Sequence, residues 1–190
     1  MPTKSTSVQI DDDGRPTTDI TVNRVWAMPS KDTFSIRPIK ELVERELDWT
    51  DGIWVDPFCG ESDYADITND LSEEIDSDYT MEAVAFLQEF DDNEIDGGVL
   101  FDPPYSPRQI KECYESVGRD VTKQMTQSSF WSTVKDEIER ICADGAVVIT
   151  CGWNSGGVGK GRDFKKDHIL MVPHGSWHND TIVTVETYRP

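Results

Sequence analysis

Gly98-Val99-Leu100-Phe101-Asp102-Pro103-Pro104-Tyr105 is the stretch on which the reading of this chain turns. Its first four residues carry no polar side chain. They predict a strand that is apolar on both faces, as in a parallel sheet covered by helices on each side. An acid, two prolines and an aromatic residue follow at once. In open α/β sheets, ligands bind outside the carboxyl ends of the strands. The prolines fix φ and have no N–H, so the turn is rigid and its carbonyl oxygens can face one point. Asp102 adds a charged acceptor and Tyr105 a flat face. This set suits a planar ligand with an exocyclic amino group: the acceptors take its two N–H hydrogens and its ring stacks on Tyr105. A Pro-Pro turn after a core strand is the plainer reading. It gives no reason for an acid and an aromatic at those flanks.

Outward from this stretch, five more apolar runs read as strands: residues 52–56, 64–68, 146–150, 168–172 and 181–186. Helical spacing falls between them. Ile39, Leu42, Val43 and Leu47 recur within 38–47, and Val84, Leu87 and Phe90 within 81–90. Another helix opens at Pro107 and runs through Ile110, Tyr114 and Val117; Val134, Ile138 and Ile141 mark a fourth over 128–142. Strands alternating with helices give a doubly wound sheet. The last two strands are joined by residues 173–180, too few for a helical crossover, so they should pair antiparallel. Residues 1–19 are polar, with Asp11-Asp12-Asp13-Gly14 and Pro16, and read as a flexible acidic tail before one domain over 20–190.

The 190 residues hold 18 Lys+Arg against 37 Asp+Glu, a formal net charge of −19. The acids are spread along the chain, which suits a charged surface kept soluble in high salt. That balance excludes a generally basic nucleic-acid coat and leaves a local basic patch open. An acidic mimic of DNA is the other reading. No apolar run approaches the ~20 residues of a membrane span, and no secretory signal opens the chain. The expectation is a cytoplasmic protein with Cys59, Cys113, Cys142 and Cys151 reduced. No Cys-x-x-Cys pair occurs, and His168, His174 and His178 lack carboxylate or Cys partners at matched spacing, so no metal site is expected. Trp153, Lys160, Arg162, Lys165 and Lys166 lie after the fifth strand in a glycine-rich segment with more basic than acidic residues. They are the candidates for gripping phosphates or a flipped base; a surface loop is the plainer account.

Asp102-Pro103-Pro104-Tyr105 resembles the catalytic motif of the amino-group DNA methyltransferases, which methylate adenine N6 or cytosine N4 using S-adenosylmethionine. Upstream, Trp54-Val55-Asp56-Pro57-Phe58-Cys59-Gly60 is similar to that family's cofactor motif, Asp-Pro-Phe-x-Gly-x-Gly, with Ser62 in place of the second glycine. The helix that normally follows has no counterpart, because the run at 64–68 arrives at once. Phe34-Ser35-Ile36-Arg37-Pro38-Ile39 resembles the N-terminal motif Phe-x-Ile-x-Pro-Ile. Asp70 matches the acid that holds the ribose hydroxyls, and Glu82 the acid of the adenine-binding segment.

The resemblance spans roughly 34–186, nearly the whole folded part, and its motif order excludes the circularly permuted class. It implies a Rossmann-like S-adenosylmethionine-dependent methyltransferase fold: α/β, a mostly parallel sheet with a C-terminal antiparallel hairpin, and helices on both faces. It implies catalysis by Asp102, Pro103, Pro104 and Tyr105. It also implies cofactor contacts from Phe34, Ile36, Pro38, Asp56, Pro57, Phe58, Gly60, Asp70 and Glu82. The expected partner is DNA with a flipped base, with adenine N6 favoured. Cytosine N4, an amino group in RNA or protein, and a non-catalytic nucleic-acid-binding relative stay open. A separate recognition domain is not expected, as in small phage-like or archaeal-virus-like forms. Specificity then falls to short loops, a homodimer or a separate specificity partner.

Overall fold

A run of four apolar residues has no face to turn to water, and Gly98–Phe101 (β7) is accordingly buried along its whole length. Parallel neighbours flank it on both sides, Trp54–Asp56 (β4) and Val147–Gly152 (β8). The computed structural model describes residues 9–10, 16–17, 20–119, 128–175 and 178–190. Among them, β4, β7 and β8 form the centre of an eight-stranded sheet. Ile67–Asp70 (β5) and Tyr79–Thr80 (β6) extend it in parallel beyond β4. On the other side Thr181–Tyr188 (β10) runs antiparallel to β8, and Phe164–Val172 (β9) antiparallel to β10. The C-terminal hairpin is thus as expected. Thr21–Arg24 (β3) closes that edge, parallel to β9. All four of its residues are exposed, so it carries no burial pattern to read. Gln9–Ile10 (β1) and Pro16–Thr17 (β2) pair antiparallel apart from the main sheet. The rest of the 1–19 tail lies outside the described residues.

Helices cover both faces. Arg37–Trp49 (α1) buries Ile39, Leu42 and Val43, the stripe its spacing predicts, with Pro38 in its first turn where a missing N–H is harmless. Its face of the sheet includes Trp54, Leu100, Ile149, Leu170 and Val183. Ala83–Leu87 (α2) and Ser128–Ile141 (α4) pack on the opposite face, against Val55, Val99, Phe101 and Val148. Pro107–Ser116 (α3) starts at a serine whose hydroxyl accepts from the Gln109 N–H at 3.2 Å. No helix follows β4: residues 57–66 cross to β5 as irregular chain. No helix among the described residues is long and apolar enough to cross a membrane.

The hairpin strands carry one further feature. The register slips where Val185 faces His168 and Glu186 faces Lys166, so Asp167 is an extra residue in β9. A bulge of this kind turns the strand over. Leu170 and Val172 therefore join the α1 side, while Phe164 joins the α4 side.

Candidate active site

Parallel strands deliver their carboxyl ends to one edge, and the loops there surround a cleft of about 820 Å³. β7 supplies Asp102, Pro103, Pro104 and Tyr105; β4 supplies Pro57, Phe58 and Gly60; β5 supplies Asp70; β6 is followed by Met81 and Glu82. Phe34, ahead of α1, forms part of the wall. Gln109, Cys113 and Tyr114 of α3 and Phe130 and Trp131 of α4 line the far side.

Asp102 accepts a hydrogen bond from the Tyr105 hydroxyl on Oδ1. Burial pushes its carboxyl up to about 6, although hydrogen bonds from Tyr105 and Thr33 pull the other way. Burial also raises the Tyr105 phenol, with the Asp102 charge next in weight, so Tyr105 stays a neutral donor. A carboxylate offers about four acceptor positions, so capacity remains for an amine hydrogen. Tyr105 is held from three sides. Its backbone N–H donates to Gln109 Oε1 at 2.9 Å, its hydroxyl is fixed on Asp102, and the Trp153 ring stands edge-on at 5.8 Å.

At the other end of the cleft, Gly60 takes a left-handed turn with φ at +53°. Its N–H donates to Asp70 Oδ2 at 3.2 Å, and the other Asp70 oxygen accepts from the Ser72 N–H at 2.8 Å. Phe58 stands between Phe101 and Trp131, with ring centroids at 5.9 and 6.0 Å. Asn69 ties two cleft segments together: its amide donates to the Pro57 and Met81 carbonyls, both at 3.1 Å, and accepts from the Met81 N–H at 3.1 Å. Glu82 accepts from the Tyr114 hydroxyl and from Arg119, the latter at 3.3 Å.

Three of the expected cofactor residues do not line the cleft. Asp56 lies beneath it, 1 % exposed, with Oδ1 accepting from the Phe58 N–H at 2.9 Å. Its Oδ2 is buried with no hydrogen-bond partner. Burial, followed by the charges of Asp102 and Asp70, holds its carboxyl well above the ordinary range. Ile36 is buried at the start of α1 and faces a neighbouring cavity of about 480 Å³. Pro38 is spent on the first helical turn. The two cavities share Lys31, Thr33, Tyr105 and Gln109, and Trp153, His174 and Thr181 line the second one.

No protein-family model matches the chain, and no curated protein matches it in sequence. Solved structures do match in shape. The N-methyltransferase NodS from Bradyrhizobium japonicum WM9 aligns with a TM-score of 0.55 at 9% identity, over 81% of this chain and 96% of that one. The 1,6-didemethyltoxoflavin-N1-methyltransferase of Burkholderia thailandensis, solved with 1,6-didemethyltoxoflavin and S-adenosylhomocysteine, aligns at 0.53 and 10% identity, over 81% and 78%. TrmN from Thermus thermophilus aligns at 0.50 and 15% identity, over 81% of this chain and 49% of that one. The fold is that of the S-adenosylmethionine-dependent methyltransferases.

On this methyltransferase fold the expected DNA-side residues divide. Trp153 is 43 % exposed beside Tyr105. Lys160 and Lys165 are exposed on the surface. Arg162 is drawn inward: it pairs with Asp136 at 2.6 Å and donates to the Ser132 hydroxyl at 2.8 Å. Lys166 donates to the Ser155 carbonyl and stands 3.9 Å from the buried Glu186. Arg162 and Lys166 are thus engaged within the fold rather than offered to a phosphate. Of the basic candidates, none lines either cavity. His168 and His174 bond to protein groups. His168 Nε2 meets Asn23 Oδ1 at 2.8 Å, and Arg45 donates to its Nδ1; His174 bridges the Ala27 carbonyl and the Thr181 hydroxyl.

Sequence reasoning missed Thr33, Asn69, Tyr114 and Trp131 as site residues. Asn69 stands next to the predicted Asp70, and an amide at a strand's carboxyl end is a readable signal for loop bridging. Tyr114 and Trp131 read as ordinary helix positions, and only tertiary packing brings them to the cleft.

Proposed function

We propose that the protein is an S-adenosylmethionine-dependent methyltransferase acting on the exocyclic amino group of a planar ring, with adenine N6 in DNA as the preferred target. The observation that carries this reading is the single cleft that joins the Asp102–Tyr105 corner to the Gly60 and Asp70 end. The residues present fit a cationic cofactor. Asp32, Glu61, Asp70, Glu82, Asp102 and Glu112 make the cleft strongly negative, with Lys31 the cation among the described residues that lines it. Asp70 would hold the ribose hydroxyls, Gly60 and Phe58 the methionine end, and Met81 with Glu82 the adenine side. When bound, the cofactor supplies an electrophilic methyl group on a sulfonium, which passes to the amine as S-adenosylhomocysteine and one proton are released.

The chain's own residues do the rest. Ionised Asp102 and the Pro103 carbonyl accept the two amine hydrogens. That restores electron density on a nitrogen whose lone pair is otherwise delocalised into the ring, and it orients the nitrogen for in-line attack. The ring stacks on Tyr105, and Trp153, edge-on to Tyr105 at 5.8 Å, stands at its border. Burial, followed by the Asp56 and Asp70 charges, pushes the Cys59 thiol up to about 12, so Cys59 does not serve as a thiolate nucleophile.

One observation favours a second reading. An acidic cleft beside internally paired Arg162 and Lys166 repels a polyanion, so a neutral or cationic amine carrier, such as a free nucleoside or a basic polypeptide, competes with DNA. Salt separates the two. The screening length falls from ~10 Å at 0.1 M to ~3 Å at 1 M, so repulsion of DNA fades as salt rises. Transfer to an unmethylated oligonucleotide should therefore increase between these salt concentrations, against the usual loss for DNA-binding proteins. Transfer to free adenosine or a basic peptide, with none to the oligonucleotide at any salt, would replace the DNA reading with the second.

A further inference from the structure

Glu186 of β10 is 1 % exposed and lines neither cavity. Its Oε2 accepts from the Val158 N–H at 2.6 Å, and the Gly159 N–H also donates to this carboxylate. The β9 bulge brings Lys166 onto the same side, where its ammonium is 3.9 Å from Glu186 Oε1 and donates to the Ser155 carbonyl. From α4, Lys135 donates to the Gly157 carbonyl at 2.5 Å. Gly157 has φ at +61°, and a Cβ there would overlap the Glu186 carboxylate, so only glycine fits. Val158 drops its side chain into the core, 2 % exposed. Four of the five residues after Asn154, namely 155, 157, 158 and 159, are thus tied by side chains from three separate elements, β9, β10 and α4. Burying such charges is costly, and they give no direct contact to the site. Their common effect is to immobilise a loop that begins at Trp153, whose ring stands on Tyr105.

We propose that Glu186, Lys135 and Lys166 are positioning residues that staple this loop and so fix Trp153, a wall of the second cavity where it meets the cleft at Tyr105, as a specificity determinant for the ring of the substrate. The inference rests on the N-methyltransferase reading of the cleft. A glycine-rich loop left free would sample many conformers, and only a fraction would present Trp153 to the ring; apparent affinity falls by that fraction.

Two readouts test it on the full chain. Hydrogen–deuterium exchange over residues 153–159 should be slow in the wild type and fast in Glu186→Gln and in Lys135→Met, the latter a half-buried helix position that leaves the core intact. Labelled S-adenosylmethionine with an unmethylated oligonucleotide and with free adenosine gives the kinetics. The variants should raise KM for the accepted amine about tenfold while kcat changes less than about twofold. Calorimetric affinity for S-adenosylhomocysteine should be unchanged. Slow exchange persisting in both variants, or cofactor affinity falling in step with KM, overturns the proposal. If the wild type methylates neither probe, the transferase reading fails for those substrates, and the exchange arm still decides the staple.

Discussion

Replacing Asp102 with Asn should make the protein more stable and abolish its activity. Burial moves the Asp102 carboxyl from an ordinary 3.8 to about 6. One tenfold step is about 1.4 kcal/mol, so ionising this group in the fold costs about 3 kcal/mol more than in the unfolded chain. The folded pKa lies above the unfolded one. The destabilisation is therefore absent below about pH 4, develops between about pH 4 and 6, and is complete above about pH 6. Asn keeps an oxygen that can accept from the Tyr105 hydroxyl and brings no charge. Urea unfolding at pH 8 should show Asp102→Asn more stable by as much as about 3 kcal/mol, with the difference closing at pH 4. The same burial sets an acidic limb on wild-type transfer, falling about tenfold per pH unit below about 6, because only the ionised form accepts the amine hydrogen. A variant no more stable than wild type at pH 8, or a difference independent of pH, would refute the burial argument.

Other perturbations test other links. Tyr105→Phe removes a hydrogen bond that favours ionised Asp102, so the acidic limb should move above about 6 in a pH–rate profile. Asn69→Ala frees the Pro57 and Met81 carbonyls from their shared bridge, and titration calorimetry should show S-adenosylhomocysteine binding weakened about tenfold or more. Phe86→Ala, at 0 % exposure between Tyr79 and Phe90, should lower unfolding free energy by about 3–5 kcal/mol in a denaturant titration.

Much of this architecture is legible in the sequence because burial on both faces writes itself as unbroken apolar runs. β7, β8 and the β9–β10 hairpin are read that way, and the short 173–180 connection dictates the antiparallel return. β3 escapes because all its residues are exposed, and the two-residue β6 is too short for any period. β9 begins at Phe164 rather than at His168, since the bulge at Asp167 breaks the alternation that periodicity needs. In the site, Asp102 to Tyr105, Phe58, Gly60 and Asp70 are contiguous with strand ends and are found by local pattern. Pro38 and Ile36 fall outside the cleft lining, because local pattern does not separate a helix start from a pocket wall. The fates of Arg162 and Lys166 depend on Asp136 and Glu186, distant in sequence, so composition made them free cations when packing had already paired them.

The decisive property is whether the Asp102–Tyr105 corner moves a methyl group onto nitrogen. Wild type and Asp102→Ala should be incubated with labelled S-adenosylmethionine and unmethylated DNA at low and high salt, followed by nucleoside analysis, with S-adenosylhomocysteine binding measured for both. The expected result is label on the adenine amino group with wild type and none with the variant, while both bind the cofactor product alike. Equal labelling by the two proteins, or label carried on a ring carbon, would contradict it.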